Sequence, residues 1–143
     1  MYRILLPLDA NDERAERAVD IVTSLPADPE DIEVVVLNVV KDFEVFDDSS
    51  GTMSSEQMLG STPVPDTVTD AEERLEAAGI ETTRVRRHGN PAEVIVDVAS
   101  DEDVDHIVMG GRKRSPTGKV IFGSVTQSVL LSADRPVTVI MRD

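Results

Sequence analysis

A chain of 143 residues is about one domain in length, too short for an enzyme with a separate substrate module and long enough to bury a substantial core without a metal or disulfide staple. It contains no cysteine, so thiolate nucleophiles, cysteine metal ligands and CxxC redox chemistry are excluded. Asp and Glu number 28 against 14 Lys and Arg, a formal net charge of -14 that disfavours nonspecific binding to nucleic acid or to an anionic membrane.

The opening residues, Met1-Tyr2-Arg3-Ile4-Leu5-Leu6-Pro7, show no basic leader ahead of a long apolar stretch, and no run of about 18 uncharged apolar residues occurs. A soluble, cytoplasmic protein is expected. Tyr2 to Leu8 reads as a buried strand ending in Pro-Leu-Asp. Asn11 or Asp12 caps a helix from about Glu13 to Ser24, in which Ala15, Ala18, Val19 and Val22 recur at helical spacing. Ile32 to Val40 holds Val34-Val35-Val36-Leu37, the continuous apolar run of a strand covered on both faces. Asp42 to Pro65 has no clear period and reads as a long loop with a short helix near Ser55 to Leu59. A helix from Asp66 to Ala78 stops at Gly79.

Ile80 to His88 then alternates as a strand, with Thr82, Arg84 and Arg86 on one face. Pro91 opens a helix running to about Ser100. Asp105 to Gly110 is a fourth strand, Ser124 to Ala133 a helix and Pro136 to Met141 a final strand. Strand and helix alternate without internal repeats, which implies a parallel sheet with right-handed crossovers and helices on both faces. Ligands of such sheets sit at the carboxyl ends of strands where the winding reverses, here between the first and fourth strands, after Leu8 and Met109.

Two features of charge stand out. Only Lys41, Lys113 and Lys119 are lysines. An acidic surface poor in lysine suits a cytoplasm of molar salt, where the Debye length shrinks to about 3 Å and self-repulsion nearly vanishes; a halophilic archaeon is the expected source. Arg112, Lys113, Arg114 and Lys119 nevertheless crowd into one short stretch, which marks an anion site.

That stretch lies in Gly110-Gly111-Arg112-Lys113-Arg114-Ser115-Pro116-Thr117-Gly118-Lys119-Val120-Ile121-Phe122-Gly123-Ser124, which opens onto a helix. Glycines admit an anion close to backbone amides, and a helix start adds unpaired N–H groups, so phosphate is the natural guest. The loop is not a Walker A sequence, because Lys113 stands where the first glycine belongs and Val120 replaces the metal-binding Ser or Thr.

It resembles instead the nucleotide motif of the universal stress protein family, G-x2-G-x9-G-[ST], with Gly110 at the first glycine and Gly123-Ser124 at the required distance. The resemblance extends over the chain. Ile4 to Asp9 is similar to the family's first strand and its Asp, Leu37-Asn38-Val39 to the end of the second strand, and Gly89-Asn90-Pro91 to the glycine before the third helix. Asp105 to Gly110 is similar to D-x-[IL]-V-M-G, and Arg135 to Ile140 to the terminal strand. The implied fold is α/β: one domain over residues 1–143, an open five-stranded parallel sheet of order 3-2-1-4-5 with helices on both faces, Rossmann-like and akin to the adenine-nucleotide alpha hydrolases.

The resemblance also implies an ATP site, possessed of Mg²⁺ or not. Pro7, Leu8 and Asp9 would line the nucleoside side, with Asp9 on polar groups of ribose or adenine, and Val39 would offer backbone hydrogen bonds to adenine. Met109 and Gly110 would flank the ribose and first phosphates; Gly123, Ser124, Val125 and Thr126 would cradle the rest, with Arg112 and Lys113 close by. Simple structural roles compete with these: strand-end packing for Pro7 and Val39, core for Met109, a helix cap for Ser124. Lys113 departs from the motif by replacing its second glycine. Its side chain either blocks close backbone approach or substitutes a charge-assisted phosphate contact for an amide.

His88 and His106, the only histidines, are expected at opposite sheet ends, which argues against a metal site or a Ser-His-Asp relay. Asp47-Asp48 and Asp101-Glu102-Asp103 lack calcium-loop spacing. The leading reading is a stress-response module that senses ATP. The alternatives are a slow ATP-hydrolysing or self-phosphorylating enzyme with Ser124 or a nearby Thr as acceptor, and a nucleotide-free dimeric scaffold. The resemblance also implies a homodimer through the strand Val137 to Met141, whose alternating apolar residues on an edge strand invite pairing with a second copy.

Overall fold

The computed structural model describes residues 1–41, 62–111 and 123–141. Along them run β1 (Tyr2–Leu8), α1 (Asp12–Ser24), a 3₁₀ turn (Pro29–Asp31), β2 (Ile32–Val40), α2 (Asp66–Ala77), β3 (Glu81–His88), α3 (Pro91–Asp101), β4 (His106–Gly110), α4 (Ser124–Ser132) and β5 (Val137–Ile140). The five strands form one parallel sheet of order β3-β2-β1-β4-β5. The expected α/β fold and strand order are those observed. The short helix near Ser55 to Leu59 and most of the loop from Asp42 to Pro65 lie outside the described residues.

Strand periodicity divides the core in two. Ile4, Leu6, Leu8, Val34 and Val36 project to the face covered by Ala18, Val19 and Val22 of α1 and by Val68, Ala71 and Leu75 of α2. Leu5, Val35, Leu37, Ile107 and Met109 project to the other, against Ile95, Val98 and Ala99 of α3 and Val129 of α4. Both faces of β1 and β2 are therefore dry, as their unbroken apolar runs require. Leu5 pairs with Val35 on one side and Ile107 on the other.

Local chemistry fixes the element ends. Asn11 caps α1, its Oδ1 accepting from the Arg14 amide at 2.9 Å, so the helix starts one residue earlier than its apolar spacing suggested. After α2, Gly79 adopts φ +86; its amide donates to Glu76 O at 2.9 Å and that of Ile80 to Leu75 O at 3.0 Å, a paired closure that requires a left-handed residue. Asn90 caps α3, accepting from the Glu93 amide at 3.2 Å. At α4 the cap position falls on Gly123, with Ser124 inside the helix. That corrects the reading of Ser124 as the cap: its backbone is already helical, so its hydroxyl caps no amide.

On β3 the alternation holds: Thr82 donates to Glu76 at 3.1 Å, Arg84 pairs with Glu72, and Arg86 Nε donates to Asn38 Oδ1 at 3.1 Å. Arg135 Nη1 donates to the carbonyls of Ala99 at 2.9 Å and Val104 at 2.7 Å, fastening the entry of β5 to the α3–β4 turn. His106, at the amino end of β4, has Nδ1 3.0 Å from the Tyr2 hydroxyl and Nε2 2.6 Å from Thr138 Oγ1. His88 closes β3 at the opposite, carboxyl end of the sheet, so the two histidines are separated as expected.

Two outcomes follow from this packing. Leu5→Ala, which empties a site with 0% exposure between two strands, is expected to cost about 2–5 kcal/mol in urea unfolding. Burial holds the His106 imidazole below its ordinary range, so its contribution is intact above the unfolded value of about 6.5 and is lost as pH falls through the lower folded value. Unfolding followed from about pH 8 to about pH 5 should show a smaller loss of stability in His106→Gln than in the parent chain, and equal losses would contradict the assignment.

Candidate functional site

β1 is flanked by β2, reached by crossing one face, and by β4, reached by crossing the other. The connections leaving β1 and β4 therefore part, and a cleft opens between them at the carboxyl ends. It has a volume of about 320 Å³, at the lower end of small-molecule sites. Pro7 and Leu8 line it from β1, Asp9 from just after that strand, Val39 from β2, and Met109 and Gly110 from β4; Gly123, Ser124, Val125 and Thr126 close it from the start of α4. Those residues, scattered through the sequence, were all singled out by motif. Arg112, Lys113, Arg114 and Lys119 lie outside the described residues.

Several residues here also serve the core. Met109 is 5% exposed and belongs to the apolar cluster beneath α3 and α4, and Val39 and Val125 pack against that cluster. Core and cleft roles coincide because the cleft floor is the top layer of the core.

The cleft has lining that motif reading missed: Arg14 and Ala15 of α1, Lys41 after β2, Pro91 and Ile95 of α3, and Gly111. Arg14 was detectable as the one basic residue in an otherwise acidic first turn, and Lys41 as one of the three lysines. The apolar residues carried no signal beyond helical spacing. Arg14 Nη2 donates to Asp9 Oδ2 at 2.7 Å, and Asp9 Oδ1 accepts from the Asn11 amide at 2.9 Å. Thr67 at the start of α2 donates to the Asp9 carbonyl, tying the chain after position 62 to the cleft rim.

At the far wall, the cap position of α4 falls on Gly123, which has no side chain to cap it. Its first amides thus have no intrahelical acceptor and carry the positive end of the helix dipole. Arg14, Lys41 and this helix start bring positive charge to a cleft lined, among the described residues, by one carboxylate, Asp9, within a chain of net charge -14. No group of His, Cys, Asp and Glu able to hold a metal ion occurs among the described residues.

The glycines of the motif differ physically. A Cβ on Gly110 would lie 3.0 Å from Arg14 Cβ and 3.2 Å from the Arg14 carbonyl oxygen, whereas one on Gly123 would meet nothing within 4 Å among the described residues. Gly110 is required by the approach of α1 to β4, and at Gly123 no described residue crowds the position.

Residues 1–141 match the model of the universal stress protein family. The chain belongs to that family. A universal stress protein of Methanocaldococcus jannaschii is 37% identical over 68 residues, 48% of this chain and 42% of that relative. The matched segment thus spans less than half of the relative's length. The solved structure of a universal stress protein from Archaeoglobus fulgidus aligns with TM-score 0.74 and 30% identity over 98% of both chains. Another from the same organism, in complex with dAMP, aligns over 98% of both with TM-score 0.68 and 23% identity, a likeness of fold. No helix among the described residues of this universal stress protein is long and apolar enough to cross a membrane.

The contrast between the glycines is measurable. Gly110→Ala should destabilise the domain by about 1–3 kcal/mol through overpacking, and Gly123→Ala by less than about 1 kcal/mol, both read by chemical denaturation. Equal costs would remove the distinction.

Proposed function

We propose that this universal stress protein binds an adenine nucleotide, ATP in the fullest form of the reading, in the cleft between β1 and β4 and acts as a nucleotide-responsive regulatory module. The observation that carries the proposal is convergence: Asp9 and the start of α4, whose cap position is Gly123, face one cleft. An apolar floor of Leu8, Val39 and Met109 suits a base, and unpaired amides beside cationic side chains suit phosphates. Fold neighbours solved with cAMP, dAMP and AMP support the choice of adenine nucleotides. Pro7 and Gly110 would border the nucleoside, and Ser124, Val125 and Thr126 the phosphates, with Arg112 and Lys113 contributing charge from the motif. Mg²⁺ would accompany ATP as a counterion of its phosphates.

Binding is favoured over rapid hydrolysis because Asp9 is the single carboxylate lining the cleft among the described residues, and both its oxygens are engaged. The same reading includes a cytoplasmic homodimer paired through Val137 to Met141. β5 is the sheet's edge strand, hydrogen-bonded to β4 on one side, and light scattering in molar salt showing a monomer would contradict that pairing. A halophilic setting accounts for the acidic surface; full helical circular dichroism in salt-free buffer would speak against it.

The decisive measurement is a thermal shift in high salt with ATP and Mg²⁺, or with AMP. At a hundred times its dissociation constant a ligand adds about 2.7 kcal/mol, expected here as a rise of roughly 5 to 10 °C. Gly123→Val, which places a branched side chain at the start of α4, should abolish the shift while the protein without nucleotide still melts cooperatively. No shift with any adenine nucleotide would favour the scaffold, and phosphate release abolished by Gly123→Val would favour the enzyme.

A further inference from the structure

Arg14 stands where a cation is disfavoured. It lies in the first turn of α1, next to Asp12 and Glu13, at the positive end of the helix dipole. Its backbone is held in place, because α1 rests against β4 so closely that a Cβ on Gly110 would lie 3.3 Å from Arg14 Cα. The side chain is thereby directed into the cleft, beside Asp9 and Gly110. There the guanidinium engages one partner, Asp9 Oδ2, at 2.7 Å through Nη2. The other N–H groups of its fork have no protein acceptor among the described residues. The Arg14 and Asp9 side chains are 29% and 59% exposed, so solvent screens the pair and an exchange of partners costs little.

The geometry points to Arg14 as a phosphate-contacting residue that changes partner on binding. In the arrangement described it holds the Asp9 carboxylate; when a nucleotide enters, its fork turns to a phosphate and releases Asp9 Oδ2 to accept from a ligand hydroxyl or amino group. Arginine suits this role because its planar fork matches phosphate oxygens and stays charged at any relevant pH. The consequence is selectivity: Arg14 would make the cleft prefer phosphorylated adenosine to adenosine itself. The inference rests on the adenine-nucleotide reading above.

The test is the affinity of the full chain for adenosine, AMP and ATP by titration calorimetry at one fixed ionic strength, for the parent, Arg14→Gln and Arg14→Lys. The parent should bind AMP more tightly than adenosine. Arg14→Gln should weaken AMP and ATP about tenfold and leave adenosine within about twofold, and Arg14→Lys should weaken AMP by about threefold, retaining charge without the fork. Equal weakening of adenosine and AMP would overturn the proposal by making Arg14 a structural brace, and unchanged AMP affinity in both variants would overturn it outright. If Arg14→Gln fails to melt cooperatively, the AMP-to-adenosine ratio of Arg14→Lys decides by the same criterion. A parent chain that binds none of the three would remove the nucleotide reading as a whole, whereas a parent that binds all three with no phosphate preference would remove only the role of Arg14.

Discussion

The fold depends on β1 being dry on both faces while its two neighbours are reached in opposite directions. Its side chains alternate between two separate cores, Ile4 and Leu6 in one and Leu5 in the other, and its backbone is shared by β2 and β4. A strand so placed cannot be covered at its carboxyl end by either crossover, since one leaves above the sheet and the other below. The cleft is the space that remains. Its position is a consequence of winding, before any particular side chain is considered.

Charge and close packing then make that space chemically specific. Gly110 brings α1 against β4, which fixes Arg14 over the cleft; Arg14 and the Asn11 amide in turn hold the Asp9 carboxylate. A glycine that reads as a phosphate contact in the motif thus acts first on helix packing, and through it on where a cation stands. Gly123, by contrast, relieves no contact with the described residues. The two motif glycines sit in one pattern for separate physical reasons.

The two ends of the sheet divide their tasks. At the amino end, Tyr2, His106 and Thr138 link β1, β4 and β5 through a neutral ring held between two hydroxyls, and Arg3 pairs with Glu33 and Glu102. These contacts join neighbouring elements of the fold. At the carboxyl end, among the described residues, the fork of Arg14 keeps N–H groups without a protein acceptor, and the amides at the start of α4 receive no side-chain cap from Gly123. Unused hydrogen-bonding capacity around an apolar floor is what distinguishes a binding site from a structural network.

The unbroken apolar run of Val34 to Leu37, the helical spacing of Ala15, Ala18, Val19 and Val22, and the stop at Gly79 were legible from residues alone, because burial and backbone conformation impose local periods and local punctuation. Strand alternation with helices fixed the parallel sheet, and motif spacing selected the residues from Pro7 to Thr126 that border the cleft. What the sequence could not supply was proximity across the chain. Arg14 reaches Asp9 through a helix cap, yet its place over Gly110 depends on how tightly α1 settles on β4. The helical assignment of Ser124 depends on backbone angles at Gly123, and the dual service of Met109 on the core layer beneath the cleft. Composition and pattern determined the elements, their order and the candidate residues because those follow from local chemistry; the tertiary structure decided which side chains line the cleft together, because that depends on distances between segments far apart in sequence.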